Sequence, residues 1–141
     1  MPIVTAMCTS YRQELFEALH NHTLGGHQFN MALYLDTATL GADTTAYTAS
    51  NEASGAGYSA GGLALVNVAP TSAGTSAYTQ FENAVWPNST ITARGCLIHN
   101  ATSSSRAVSV HDFGQNYASI ADSFSVLMPT FDGITALLRL V

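Results

Sequence analysis

The segment Phe29-Asn30-Met31-Ala32-Leu33-Tyr34-Leu35-Asp36 decides how this chain is read. Phe29, Met31, Leu33 and Leu35 recur at every second position, and successive side chains of an extended strand point to opposite faces. The spacing predicts a strand with one buried face, Asn30, Ala32, Tyr34 and Asp36 lying on the other. Downstream, residues 44–49, 62–68, 77–85, 89–99, 106–113, 123–128 and 134–141 read as further extended segments. Turn chemistry separates them at Gly41-Ala42-Asp43, Pro70-Thr71-Ser72-Ala73-Gly74, Trp86-Pro87-Asn88-Ser89, residues 100–105 and Asp132-Gly133. About eight short strands at regular spacing predict an all-β chain, a β-sandwich or jelly roll, without alternating βαβ units.

Upstream, the period changes. Ser10 with Gln13 three residues later has the form of a capping box, and Glu14 and Glu17 add negative charge near the helix start. Tyr11, Leu15, Phe16 and Leu19 are spaced as one apolar helical stripe, ending near His20-Asn21 before Leu24-Gly25-Gly26. The expected organisation is a single domain over 1–141, with an N-terminal helix and arm (1–24) on a sandwich (25–141). Residues 37–62 are the least regular stretch and read as a long surface loop, the kind of segment that makes contacts.

The 141 residues are 47% hydrophobic and only 9% charged, against about 25% charged in an ordinary soluble domain. There is no lysine; four isolated arginines face nine carboxylates, for a net charge of −5. That excludes the clustered cations that nucleic-acid binding requires. No apolar run approaches the roughly 20 residues of a membrane helix. The N-terminus lacks the basic start and apolar stretch of a signal peptide, so folding in a cytosol is expected. On that route the three Asn-x-Ser/Thr sequons, at Asn21, Asn88 and Asn100, are coincidences of a Ser/Thr-rich chain. Low charge lowers repulsion between copies, and charged residues are depleted at interface cores.

Residues that could carry chemistry do not assemble into a motif. Gly55-Ala56-Gly57-Tyr58-Ser59-Ala60-Gly61-Gly62 lacks the lysine of a phosphate loop and reads as a turn leading into a strand. Cys8 and Cys96 read as small apolar fillers. His20, His22, His27 and the Cys96/His99 pair have no established metal spacing, and His111-Asp112 are strand neighbours aimed at opposite faces. Trp86, Tyr47, Tyr58, Tyr78, Phe81 and Phe113 could form a platform but fit sheet packing better. No catalytic residue, cofactor or metal ligand is assigned.

Three stretches are familiar in combination: residues 31–42 (Met31-Ala32-Leu33-Tyr34 through Leu40-Gly41-Ala42), 51–62 (Asn51-Glu52-Ala53-Ser54 through Gly61-Gly62) and 91–100 (Ile91-Thr92-Ala93-Arg94-Gly95-Cys96 through Asn100). Followed by Ala107-Val108-Ser109-Val110-His111-Asp112-Phe113-Gly114, they resemble small structural proteins of tailed bacteriophages over most of the chain. The resemblance implies a virion protein made in the host cytoplasm, with a capsid decoration (cement) protein on the major capsid protein lattice as the leading expectation. In that reading a homo-oligomer is expected, and the charge pattern and short apolar runs leave neither nucleic acid nor membrane as an expected partner. A tail, baseplate or fibre-knob component is the alternative, and a small cytosolic enzyme the different-class one. Tyr11, Leu15, Phe16, Leu19, Tyr47 and Tyr58 are the expected intersubunit contacts.

Overall fold

The structure, a computed structural model, describes residues 2–141. Along the chain run β1 (Ala6–Met7), α1 (Thr9–Phe16), β2 (Phe29–Tyr34), β3 (Leu63–Ala64), β4 (Thr71–Ala73), β5 (Ser76–Thr79), β6 (Ala84–Ser89), β7 (Thr92–Asn100), β8 (Arg106–Ala118), β9 (Asp122–Val126) and β10 (Leu138–Leu140). The fold is all-β with one short helix, as the periodicity predicts. Every strand pairing is antiparallel, and the described residues form sheets of five (β1-β8-β7-β2-β3), three (β10-β5-β4) and two (β6-β9) strands.

The alternation in β2 does not mean one wet face. Five of its six residues are buried, Ala32 and Tyr34 as deeply as Phe29 and Leu33. The reason is its place between β7 and β3, with both faces covered. On one face Phe29 stacks on His22 at 4.3 Å and meets Phe81 at 5.4 Å. On the other, Asn30, Ala32 and Tyr34 lie opposite His99, Leu97 and Gly95. There His99 stacks on Tyr47 at 4.9 Å, the Tyr34 hydroxyl donates to the Thr48 carbonyl, and Ile3 lies against Gly95. A strand read as half-wet is therefore central, because residues 37–62 and the N-terminus lie over its second face.

Segment boundaries shift for local reasons. Residues 44–49 form no regular strand; Ala46 makes a single bridge to Arg106. The Thr71-Ser72-Ala73 stretch expected to turn is strand β4, and the reversal shrinks to Gly74-Thr75 between Ala73 and its partner Ser76. Gly74, at φ 58°, occupies the first loop position, where a two-residue hairpin favours glycine. Pro87 and Asn88 lie inside β6, whose register with β9 breaks between Trp86 and Ser89, a place where a sheet tolerates proline. At the C-terminal end of the 37–62 stretch, a Cβ at Gly62 (φ +90°) would fall on the Met31 carbonyl, so only glycine lets the chain pass this close to β2.

The helix also differs from expectation. Cys8, not Ser10, is its N-cap, and no side chain caps it. At roughly 100° per residue, Leu15 and Glu14 fall within about 60° of Tyr11, while Phe16 lies about 140° away. Accordingly Tyr11 and Glu14 are buried, Leu15 is half-buried and Phe16 is 94% exposed. The helix closes with the Leu19 amide on the Glu14 carbonyl (3.1 Å) and the Ala18 amide on Leu15 (3.3 Å), a Schellman pattern. Ala18 occupies its left-handed position at φ 59°, where an L-residue with a Cβ is strained. Ala18→Gly is expected to raise unfolding free energy by about 0.5–1 kcal/mol in urea titration. A loss of stability would contradict this description of the helix end.

Candidate interaction surface

The arm is held by buried polar groups. Glu14, turned inward by the helix, accepts from His20 Nε2 at 2.9 Å and from Arg106 Nη1 at 3.1 Å. Asn100 Nδ2 lies 3.0 Å from His20 Nδ1 and 2.9 Å from His27 Nδ1, and its Oδ1 accepts the Thr102 and Ser103 amides. Because Asn100 donates to Nδ1, His20 carries its proton on Nε2 and donates it to Glu14. Burial pulls the His20 pKa down against the opposing pull of Glu14. His22 bonds the Tyr11 hydroxyl at 2.7 Å, and burial takes its pKa down to about 4. Its Nδ1 is buried without a partner. The histidines expected at loop edges thus pack under the arm: the polar spacing of residues 20–27 gave no sign that Phe29 and Asn100 would lie beneath.

A second cluster fastens residues 37–62. The Glu52 carboxylate accepts the Tyr47 hydroxyl at 2.6 Å, the Tyr58 hydroxyl, and the Gly61 amide at 2.8 Å. Tyr58 also accepts the Leu33 amide of β2 at 2.9 Å, and His99 Nε2 bonds the Gly61 carbonyl at 2.9 Å. Burial and the Glu52 carboxylate raise the Tyr47 pKa to about 12 and push Tyr58 higher still.

The remaining candidates for chemistry are separated. His111 bonds Ser109 Oγ at 2.9 Å, and burial lowers its pKa to about 4. Its neighbour Asp112 pairs with Arg94 at 2.8 Å. Cys8 and Cys96 are free and buried, burial raising their thiols to about 11 and about 12. Among the described residues no group of three His, Cys, Asp or Glu side chains is arranged to hold a metal ion.

Several large apolar side chains stand on the surface among polar ones. Phe16, Leu24, Ile120, Leu127, Ile134 and Val141 are all more than two-thirds exposed. Two grooves lie beside such residues. One, about 380 Å³, runs between Phe113 and Tyr117 of β8 and the whole of Ser123–Leu127 along β9. The other, about 160 Å³, lies between α1 and the three-stranded sheet, lined by Met7, Tyr11, Leu15, Tyr78, Leu138 and Leu140 among others, with His22 in its wall.

Of the six expected contact residues, Phe16 projects into solvent and Leu19 is half-buried beside it. Tyr11 is 3% exposed and offers almost no surface except as groove lining, which it shares with Leu15. Tyr47 and Tyr58 are half-buried and face Glu52, because a phenol that close to a carboxylate is held inward. Sequence reading missed the roles of Glu14 and Asn100; the one available signal was Glu14 falling beside Tyr11 on the helix wheel. Compared with known proteins, the chain matches no family model, no curated protein and no solved structure.

Two outcomes follow. Glu52→Gln puts an amide donor against two hydroxyls and an amide, and is expected to cost about 2 kcal/mol of stability by urea unfolding; an unchanged midpoint would show that Glu52 does not fasten 37–62. Lowered histidine pKa values mean the unfolded chain binds more protons below its ordinary value of about 6.5. Stability should therefore hold above pH 6.5 and fall as pH drops towards 4, each of His22 and His111 adding a slope of up to about 1.4 kcal/mol per pH unit. His22→Gln should make the slope between pH 6.5 and 5 shallower; an identical slope would contradict its buried neutral state.

Proposed function

We propose that this protein is a virion structural subunit, most specifically a capsid decoration protein that binds the major capsid protein lattice and stabilises the head. The observation that carries the reading is the surface. Large apolar side chains stand exposed around a rigid antiparallel core, on a chain with four arginines, no lysine and nine carboxylates. A free monomer gains nothing from such a surface, whereas a subunit covers it on assembly. The resemblance of residues 31–42, 51–62, 91–100 and 107–114 to phage proteins points to a virion as that assembly.

Attachment in this reading relies on apolar area and backbone contacts more than on ion pairs, so it should survive washing in about 1 M salt, where charge pairs are screened. The decisive experiment is the copy number of the chain in purified particles, relative to the major capsid protein, by quantitative mass spectrometry. Abundance comparable to the shell protein is expected. A few copies per particle would replace decoration with a tail, baseplate or fibre-knob role, and absence from particles would overturn the virion reading.

A further inference from the structure

Phe16 is the most exposed large apolar side chain among the described residues, at 94%. It terminates the helix whose preceding residue, Leu15, lines the 160 Å³ groove against the three-stranded sheet. That volume is close to the roughly 150 Å³ of an engineered apolar cavity that stays dry and takes up benzene. A phenylalanine ring is therefore the right size and chemistry for it. The chain's own Phe16 cannot enter, because it leaves the helix about 140° round from Tyr11, which faces the groove.

The charges beside ring and groove are complementary. Glu17 follows Phe16 and is exposed, and its carboxylate accepts the Gln13 side-chain amide at 3.2 Å. Arg139 lines the groove, is exposed, and donates Nε to the Ala136 carbonyl at 3.1 Å. Neither makes an ion pair among the described residues. At the groove's other side Leu140 is half-exposed and Val141 almost fully so, extending the apolar rim.

From this we propose that Phe16 of one copy seats in the groove between α1 and the β10-β5-β4 sheet of a second copy, with Glu17 reaching Arg139. Consecutive helix residues point about 100° apart, so Phe16 leaves the molecule on a different side from its own groove. The contact is therefore head-to-tail, each copy giving its Phe16 to one neighbour and receiving another's. The proposal rests on reading the chain as an assembling subunit, and does not depend on which particle it joins.

Sedimentation velocity of the full chain over rising concentration tests it. The expected result is concentration-dependent association that begins with a species of two chains, weakened at least about tenfold by Phe16→Ser, the cost of losing the one buried aromatic ring of each contact. Because Phe16 is exposed, that variant should keep the thermal stability of the monomer. Ala77→Trp, which puts a bulky ring into the groove wall, should block association from the other side. Mixing it with Phe16→Ser should restore a heterodimer, since one intact ring and one intact groove remain. Wild-type chain that stays monomeric to about 1 mM, or Phe16→Ser that associates like wild type, would overturn the proposal. Shell-like copy number in particles alongside either result would leave the decoration reading standing.

Discussion

Everything in this fold follows from a sheet that must be covered twice. In β2 and β7, apolar side chains occupy both faces: Met31, Leu33, Cys96 and Ile98 on one, Ala32, Tyr34 and Leu97 on the other, all at 1% exposure or less. At about 25 cal/mol per Å² of buried apolar surface, leaving either face wet would remove more stabilisation than a small domain has in reserve. The arm and Phe81 cover the face of Phe29 and Met31. The N-terminus and residues 37–62 cover the other. Neither covering segment has a continuous strand or long helix to hold it, so side chains do that work. Glu14, His20 and Asn100 hold the arm, and Glu52 with Tyr47 and Tyr58 holds the loop. Apolar burial supplies the driving force, and these charge-assisted bonds set where each segment lies.

The sequence made the strands legible where the period-two pattern or β-branched runs were strong, as in β2, β7 and β8. It did not reveal which strands were central, because alternation in one strand is silent about what covers its other face. Thr71-Ser72-Ala73 looked like a turn since its composition suits one, and only pairing with β5 makes it a strand. The helix misled in a similar way: Ser10 and Gln13 matched a capping pattern, while the chain starts its helix two residues earlier, after Cys8, and ends it at Phe16.

Site legibility divided along the same line. Exposure of Phe16 was readable once the helix end was known, since position on a helix wheel is local information. The inward roles of Glu14 and Asn100 were not, because partners of theirs lie 92 and 80 residues away in sequence; Glu52 has its partners within nine residues, in a stretch with no regular period to place them. Tyr47 and Tyr58, expected at the surface, are drawn inward by one carboxylate. The outer surface carries several large apolar groups beside its few charges.

If Glu52 makes residues 37–62 a structural layer and not a loop, their amides must share the protection of the sheet beneath. Residue-resolved native-state hydrogen exchange tests that directly, through the amides of Ala53, bonded to the Leu33 carbonyl, and Gly61, bonded to Glu52. The account expects both to exchange only through the same global opening as Met31 in β2 and Leu97 in β7. Free exchange at Ala53 and Gly61, with β2 and β7 still protected, would contradict it.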